Sequence, residues 1–114
     1  MLKAHSLAHI TGALKNMMGA APPRYYGGGS GTWKKARFHA NMQQAISDLI
    51  SYRQPDLALL DASIGLPEYH LGGRRCSPPL NTLIAGFDAR AVDRAGATLL
   101  GLDWRSIQHL CDDR

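Results

Sequence analysis

A chain of 114 residues with 45% hydrophobic and 19% charged residues has room for one compact domain with a modest core, and that balance excludes wholesale disorder. The net charge of +4 comes from nine arginines and four lysines scattered against nine acidic groups. It favours anionic partners weakly and lacks the basic stripe by which nucleic acid is held, so nucleic acid is disfavoured as a partner. No apolar run of about 18 residues and no basic leader before an apolar stretch occurs, so we expect no membrane partner and a cytoplasmic location. Two isolated cysteines, Cys76 and Cys111, form neither a disulfide framework nor a metal knuckle.

In chain order, residues 2–6 read as an extended lead-in. Ile10, Ala13, Leu14, Met17 and Met18 recur at helical spacing, which predicts a helix over His9–Met18 with Gly19 as its C-cap and Pro22 and Pro23 beyond it. Residues 20–35 hold the run Gly27–Gly31, flanked by Tyr25, Tyr26 and Trp33. They are expected to form a flexible surface loop or a loop that closes over a ligand. The next helix runs from His39 to Arg53, with Met42, Ala45, Ile46, Leu49 and Ile50 as its buried stripe and Pro55 as its stop.

Leu57–Leu60 are four consecutive apolar residues, the composition of a strand buried on both faces of a parallel sheet, with Asp61 at its carboxyl end. A long connection over 66–81 leads to a second buried strand, Thr82–Gly86. Asp88 then caps a helix over Ala89–Leu100, with Phe87 and Val92 as a hydrophobic staple, and Asp103 caps a last short helix. The expectation is one domain over 1–114, an α/β fold with at least two buried parallel-type strands flanked by helices. So thin a sheet calls for a third strand within 1–6, or for completion by another chain or by residues outside this one.

The chemistry concentrates at the start. In an extended 2–6, Lys3 and His5 project to one side, and on a following helix Thr11 and Lys15 share a face. A turn between the segments brings two ammonium groups, an imidazole and a hydroxyl together, a set suited to a carboxylate or phosphate, with His5 as a proton-transfer group. Each residue also has a plain reading as a solvated side chain, and Asn16 as a helix terminator. Asp61 stands where parallel sheets open onto their ligand crevice, with a turn cap as its plain reading. Asp88 has its N-cap role, and Asp93 a local ion pair with Arg90. Asp61 and Asp88 on adjacent strand ends would border a divalent cation and its anion. A zinc site from His70 and Cys76 lacks two further ligands.

Three blocks carry a resemblance. LKAHSLAHITGALKNMMG, FHANMQQAISDL with the following RQPDL, and LIAGFDARAVDRAGATLLGLD occur in the order in which similar segments stand in the domain-of-unknown-function 362 family. The resemblance implies Lys3, His5, Thr11, Lys15, Asn16, Gly19, His39, Asp48, Asp61, Asp88 and Asp93 as the matching motif positions, and it implies that this chain corresponds to the C-terminal half of the family. Some members carry a cysteine-rich, ferredoxin-like segment and are iron–sulfur proteins; this chain lacks that segment. The resemblance names no cofactor and no reaction.

Three functions follow as expectations. The first is a domain binding an anionic small molecule or cofactor through Lys3, Thr11, Lys15, Asn16 and Asp88, with His5 and Asp61 as candidate catalytic groups. The second is a non-catalytic interaction domain, or a truncated structural domain, that pairs with itself or a partner chain. The third is a component of an iron–sulfur redox system.

Overall fold

A computed structural model describes residues 1–22, 36–68 and 72–111. The expected loop over 20–35 falls almost wholly outside these residues, as does His70. The chain begins with a hairpin, β1 (Lys3–His5) and β2 (His9–Thr11), paired antiparallel with Ala4 opposite Ile10. One helical turn, α1 (Ala13–Asn16), continues into a 3-10 turn over Met17–Gly19. The helix expected over His9–Met18 is therefore shorter by its first four residues. Leu2, Ala4, Ala8 and Ile10 are all buried, and this alternation satisfies a strand where the helical spacing begins only at Ala13.

A 3-10 turn over Ala36–His39 precedes α2 (Met42–Tyr52). This helix starts at Asn41, whose side chain accepts from the Gln44 N–H at 3.1 Å, and not at His39. It buries Met42, Ile46 and Ile50. Strands β3 (Ala58–Ala62) and β4 (Thr82–Gly86) pair next, followed by α3 (Ala89–Leu99), a 3-10 turn over Trp104–Ser106, and α4 (Gln108–Cys111). The side chains of Asp88 and Asp103 cap the elements that follow them, as their positions in the sequence predict.

The parallel sheet is corrected. β3 and β4 are antiparallel, with Leu59 opposite Ala85 and Asp61 opposite Leu83, and the fold is a small α/β arrangement of two short antiparallel ribbons flanked by helices. Burial on both faces is corrected with it. Ala58, Leu60 and Ala62 turn inward onto α3, whereas Leu59 and Leu83 face out. An antiparallel ribbon tolerates one open face, and four apolar residues in a row do not reveal which face is covered. The Phe87–Val92 staple is also absent, because Phe87 is exposed while Val92 is buried.

Leu2 and β1 are stitched to the end of β3 and to the segment that follows it. Leu2 N–H donates to the Asp61 carbonyl at 2.7 Å, and Ala4 N–H to that of Leu66 at 2.8 Å. Leu2, Ile10, Leu14, Ile46, Ile107 and Leu110 form the most deeply buried apolar set, joining both ends of the chain in one core. No helix among the described residues is long and apolar enough to cross a membrane.

Candidate functional site

The opening hairpin places the first cations. Lys3 stands directly opposite Thr11 across the β1–β2 ladder, and Lys15 on α1 shares a depression with Thr11. Both lysines are half-buried, and neither forms an ion pair among the described residues. Burial, and then the charge of Lys3, pull the Lys15 ammonium below the ordinary lysine range. The Thr11 hydroxyl oxygen is buried with no hydrogen-bond partner among the described residues. Two neighbouring depressions share Thr11 and Asn16 as walls. One, of about 230 Å³, adds Lys15, Met18 and Gly19; the other, of about 200 Å³, adds Gly12, Leu59 and Asp61.

The turn carrying Lys15 and Asn16 is held from across the fold. Asp93 on α3 is fully buried, and its two carboxylate oxygens accept from the N–H groups of Ala13 at 2.6 Å and Leu14 at 2.9 Å. It thus satisfies the free donors at the start of α1. Gly12 makes room for it, since a Cβ there would lie 2.3 Å from the Asp93 Oδ1. Burial raises the Asp93 carboxyl to about 6, against the lowering effect of the two N–H donors. Arg90, its expected ion-pair partner, donates through Nε to the His109 carbonyl at 3.3 Å. Sequence reasoning missed this clamp. Its signal was Asp93's position four residues from both Ala89 and Ala97, on the helix face that is buried.

His5 lies on the same strand as Lys3, but its Nδ1 accepts from the N–H groups of Leu7 and Ala8, each at 3.1 Å, and closes the hairpin turn. Any proton on a neutral ring therefore sits on Nε2. His5→Ala is expected to cost about 1–2 kcal/mol through the loss of these two bonds. A urea denaturation midpoint equal to the parent's would show that the turn closes without them.

Asp61 is exposed at the border of the second depression. It accepts from the Ser63 N–H at 2.9 Å, and Ser63 together with the chain's amino terminus holds its carboxyl below the usual range. Asp88 lies elsewhere: with β3 and β4 antiparallel, it follows the end of the ribbon at which Ala58 meets Gly86, on the order of 15 Å along the ladder from Asp61. The two carboxylates do not border one site. Of the other motif positions, Asp48 is on the open side of α2, accepting from Gln44 Nε2 at 2.8 Å, and His39 ends the preceding 3-10 turn.

The residues do not fit an iron–sulfur cluster. Cys76 is half-buried beside Gly65 and Leu80, Cys111 is exposed near the Trp104 and Arg105 carbonyls, and the described residues contain no group of three His, Cys, Asp or Glu side chains able to hold a metal ion.

Neither a curated protein nor a solved structure matches this chain. A family model described as Domain of unknown function (DUF362) matches residues 1–98, nearly the whole chain, which corrects the expectation that the likeness is to the C-terminal half alone. The chain belongs to the DUF362 family of domains of unknown function.

Proposed function

We propose that the depression between the β1–β2 hairpin and α1 binds a small oxyanion, the phosphate or carboxylate of a small molecule. Lys3 and Lys15 supply charge, Thr11 a hydroxyl donor, and Asn16 an amide donor at the rim. One observation carries this reading. The Thr11 hydroxyl is buried without a partner among the described residues, stands opposite Lys3 on the ladder and shares a depression with Lys15. The two half-buried ammonium groups repel each other, with no ion pair among the described residues. An anion there relieves the repulsion and gives the Thr11 O–H an acceptor, and both gains exceed those at an open surface because the groups are partly desolvated.

Asp61, at the far wall, disfavours a ligand with negative charge at both ends and suits one whose other end is neutral or donates hydrogen bonds. His5 and Asp88 are outside this binding set, His5 because its Nδ1 closes the turn and Asp88 because it caps α3 at the opposite end of the ribbon. No reaction is assigned to the site.

Calorimetric titration with inorganic phosphate and with acetate at low ionic strength tests the proposal. Saturable binding of at least one anion is expected, weakened about tenfold in Lys15→Ala and by a smaller factor in Thr11→Val. Because the Lys15 ammonium loses its proton more easily than an ordinary lysine, affinity should begin to fall with rising pH below the ordinary lysine range. No heat of binding at millimolar anion, or equal affinity in the parent and Lys15→Ala, overturns the assignment.

A further inference from the structure

The β3–β4 ribbon has one face against α3, and its other face presents Leu57, Leu59, Leu83, Ala85 and Phe87 with nothing among the described residues over it. Leu57 is 61% exposed, Leu59 68%, Leu83 67% and Phe87 84%. Surface leucines scattered singly need no explanation, but these are contiguous. Leu59 is opposite Ala85, Leu83 is two residue pairs along and so on the same face, and Leu57 and Phe87 extend the row at the other end. We propose that this face is the contact between two copies of the chain, stacked ribbon on ribbon about a two-fold axis.

Area supports a second copy as the occupant. The four large side chains expose on the order of 500 Å² of apolar surface, at the upper end of what a monomer leaves uncovered. Two such faces remove about 1,000 Å² from water at the centre of the contact. With a polar rim added, that reaches the size of a specific interface. Shape agrees, because a flat two-stranded face stacks on its like at about 10 Å, as sheets do within sandwiches.

Charge chooses the orientation. Asp61 is the one ionisable residue within the outward row, at the Leu83 end. Stacking the ribbons with their ends aligned opposes two Asp61 carboxylates, whereas the antiparallel stack sets each against the far end of its partner. Both arrangements are closed, and only the antiparallel one is free of that repulsion. Leu59 and Asp61 also wall the second depression beside α1, but the contact requires no anion there, and sedimentation in buffer free of phosphate and carboxylates reads it apart from the binding proposal.

Sedimentation velocity on the full chain, over a concentration series reaching about 200 µM, reads the prediction directly. The parent is expected to pass from monomer to dimer and to stop there. Leu59→Asp, at a site 68% exposed in the monomer, should remain monomeric over the whole series while keeping the parent's far-ultraviolet circular dichroism. Phe87→Ser provides the same reading should the first variant not fold. A parent that stays monomeric throughout, a parent that grows beyond the dimer without limit, or folded variants that dimerise as the parent does each overturn the proposal.

Discussion

Gly12→Ala is expected to lose on the order of 4 kcal/mol of folding stability, seen as a fall of about 20 °C in Tm. The cost is one of contact and not of backbone conformation, since Gly12 has φ −141°, open to any residue. Its added Cβ would stand 2.3 Å from Oδ1, 2.6 Å from Cγ and 2.8 Å from Oδ2 of Asp93. The carboxylate is the wrong group to displace: it is fully buried and is held by the Ala13 and Leu14 N–H groups. Overpacking costs about 1–3 kcal/mol, and loosening two bonds to a charged acceptor adds a comparable amount. Gly19→Ala is the matched control, because a Cβ there meets nothing within 4 Å, and its Tm should stay within a few degrees of the parent's. Calorimetry on both variants decides the matter, and a Gly12→Ala melt within 5 °C of the parent's would mean that Asp93 has somewhere else to go.

What the sequence could and could not disclose follows from the range of each interaction. Caps are local: Asp88 and Asp103 are each followed within three residues by the N–H groups they accept, so their roles are legible from order alone. The α2 stripe is legible for the same reason, through Met42, Ile46 and Ile50. The hairpin was obscured because Ile10 fits two periods at once, completing a strand alternation with Ala8 and a helical spacing with Ala13 and Leu14.

Strand direction is a different kind of information. Leu57–Leu60 and Thr82–Gly86 carry nothing in their composition that separates parallel from antiparallel partners, and the long connection between them suited a crossover. Once the direction is reversed, the rule that placed Asp61 and Asp88 at one crevice no longer applies. The opening cluster was more accessible. Lys3, Thr11 and Lys15 do neighbour one another, but Lys3 and Thr11 do so across a strand pair, and Lys15 joins them from a short helical turn that begins only after Thr11 and an extended Gly12. The Asp93 clamp spans about 80 residues of chain, and no local pattern announces a bond of that range.

The same clamp predicts an unusual pH dependence. Burial raises the Asp93 carboxyl to about 6 from its ordinary 3.8, so between these values the folded chain holds a proton that the unfolded chain has released. Stability from this group is therefore fully present below the lower value, falls as pH rises through the window, and is level above about pH 6. The shift corresponds to on the order of 3 kcal/mol. Asp61 and Glu68 work in the opposite sense and lower down, since the Ser63 and Arg74 partners depress their carboxyls and their contribution is lost as pH falls below the ordinary carboxylate range. The total curve mixes these effects, and the difference between the parent and Asp93→Asn isolates one of them. The amide keeps the shape of the side chain and does not titrate, although it offers one acceptor to two N–H donors and will be less stable at acid pH. Urea midpoints measured from pH 4 to 7.5 should thus show the parent's advantage over Asp93→Asn shrinking as pH rises to about 6 and constant beyond it. A difference that stays flat across the window, or grows with pH, means that the buried carboxylate keeps its charge at no cost to the fold.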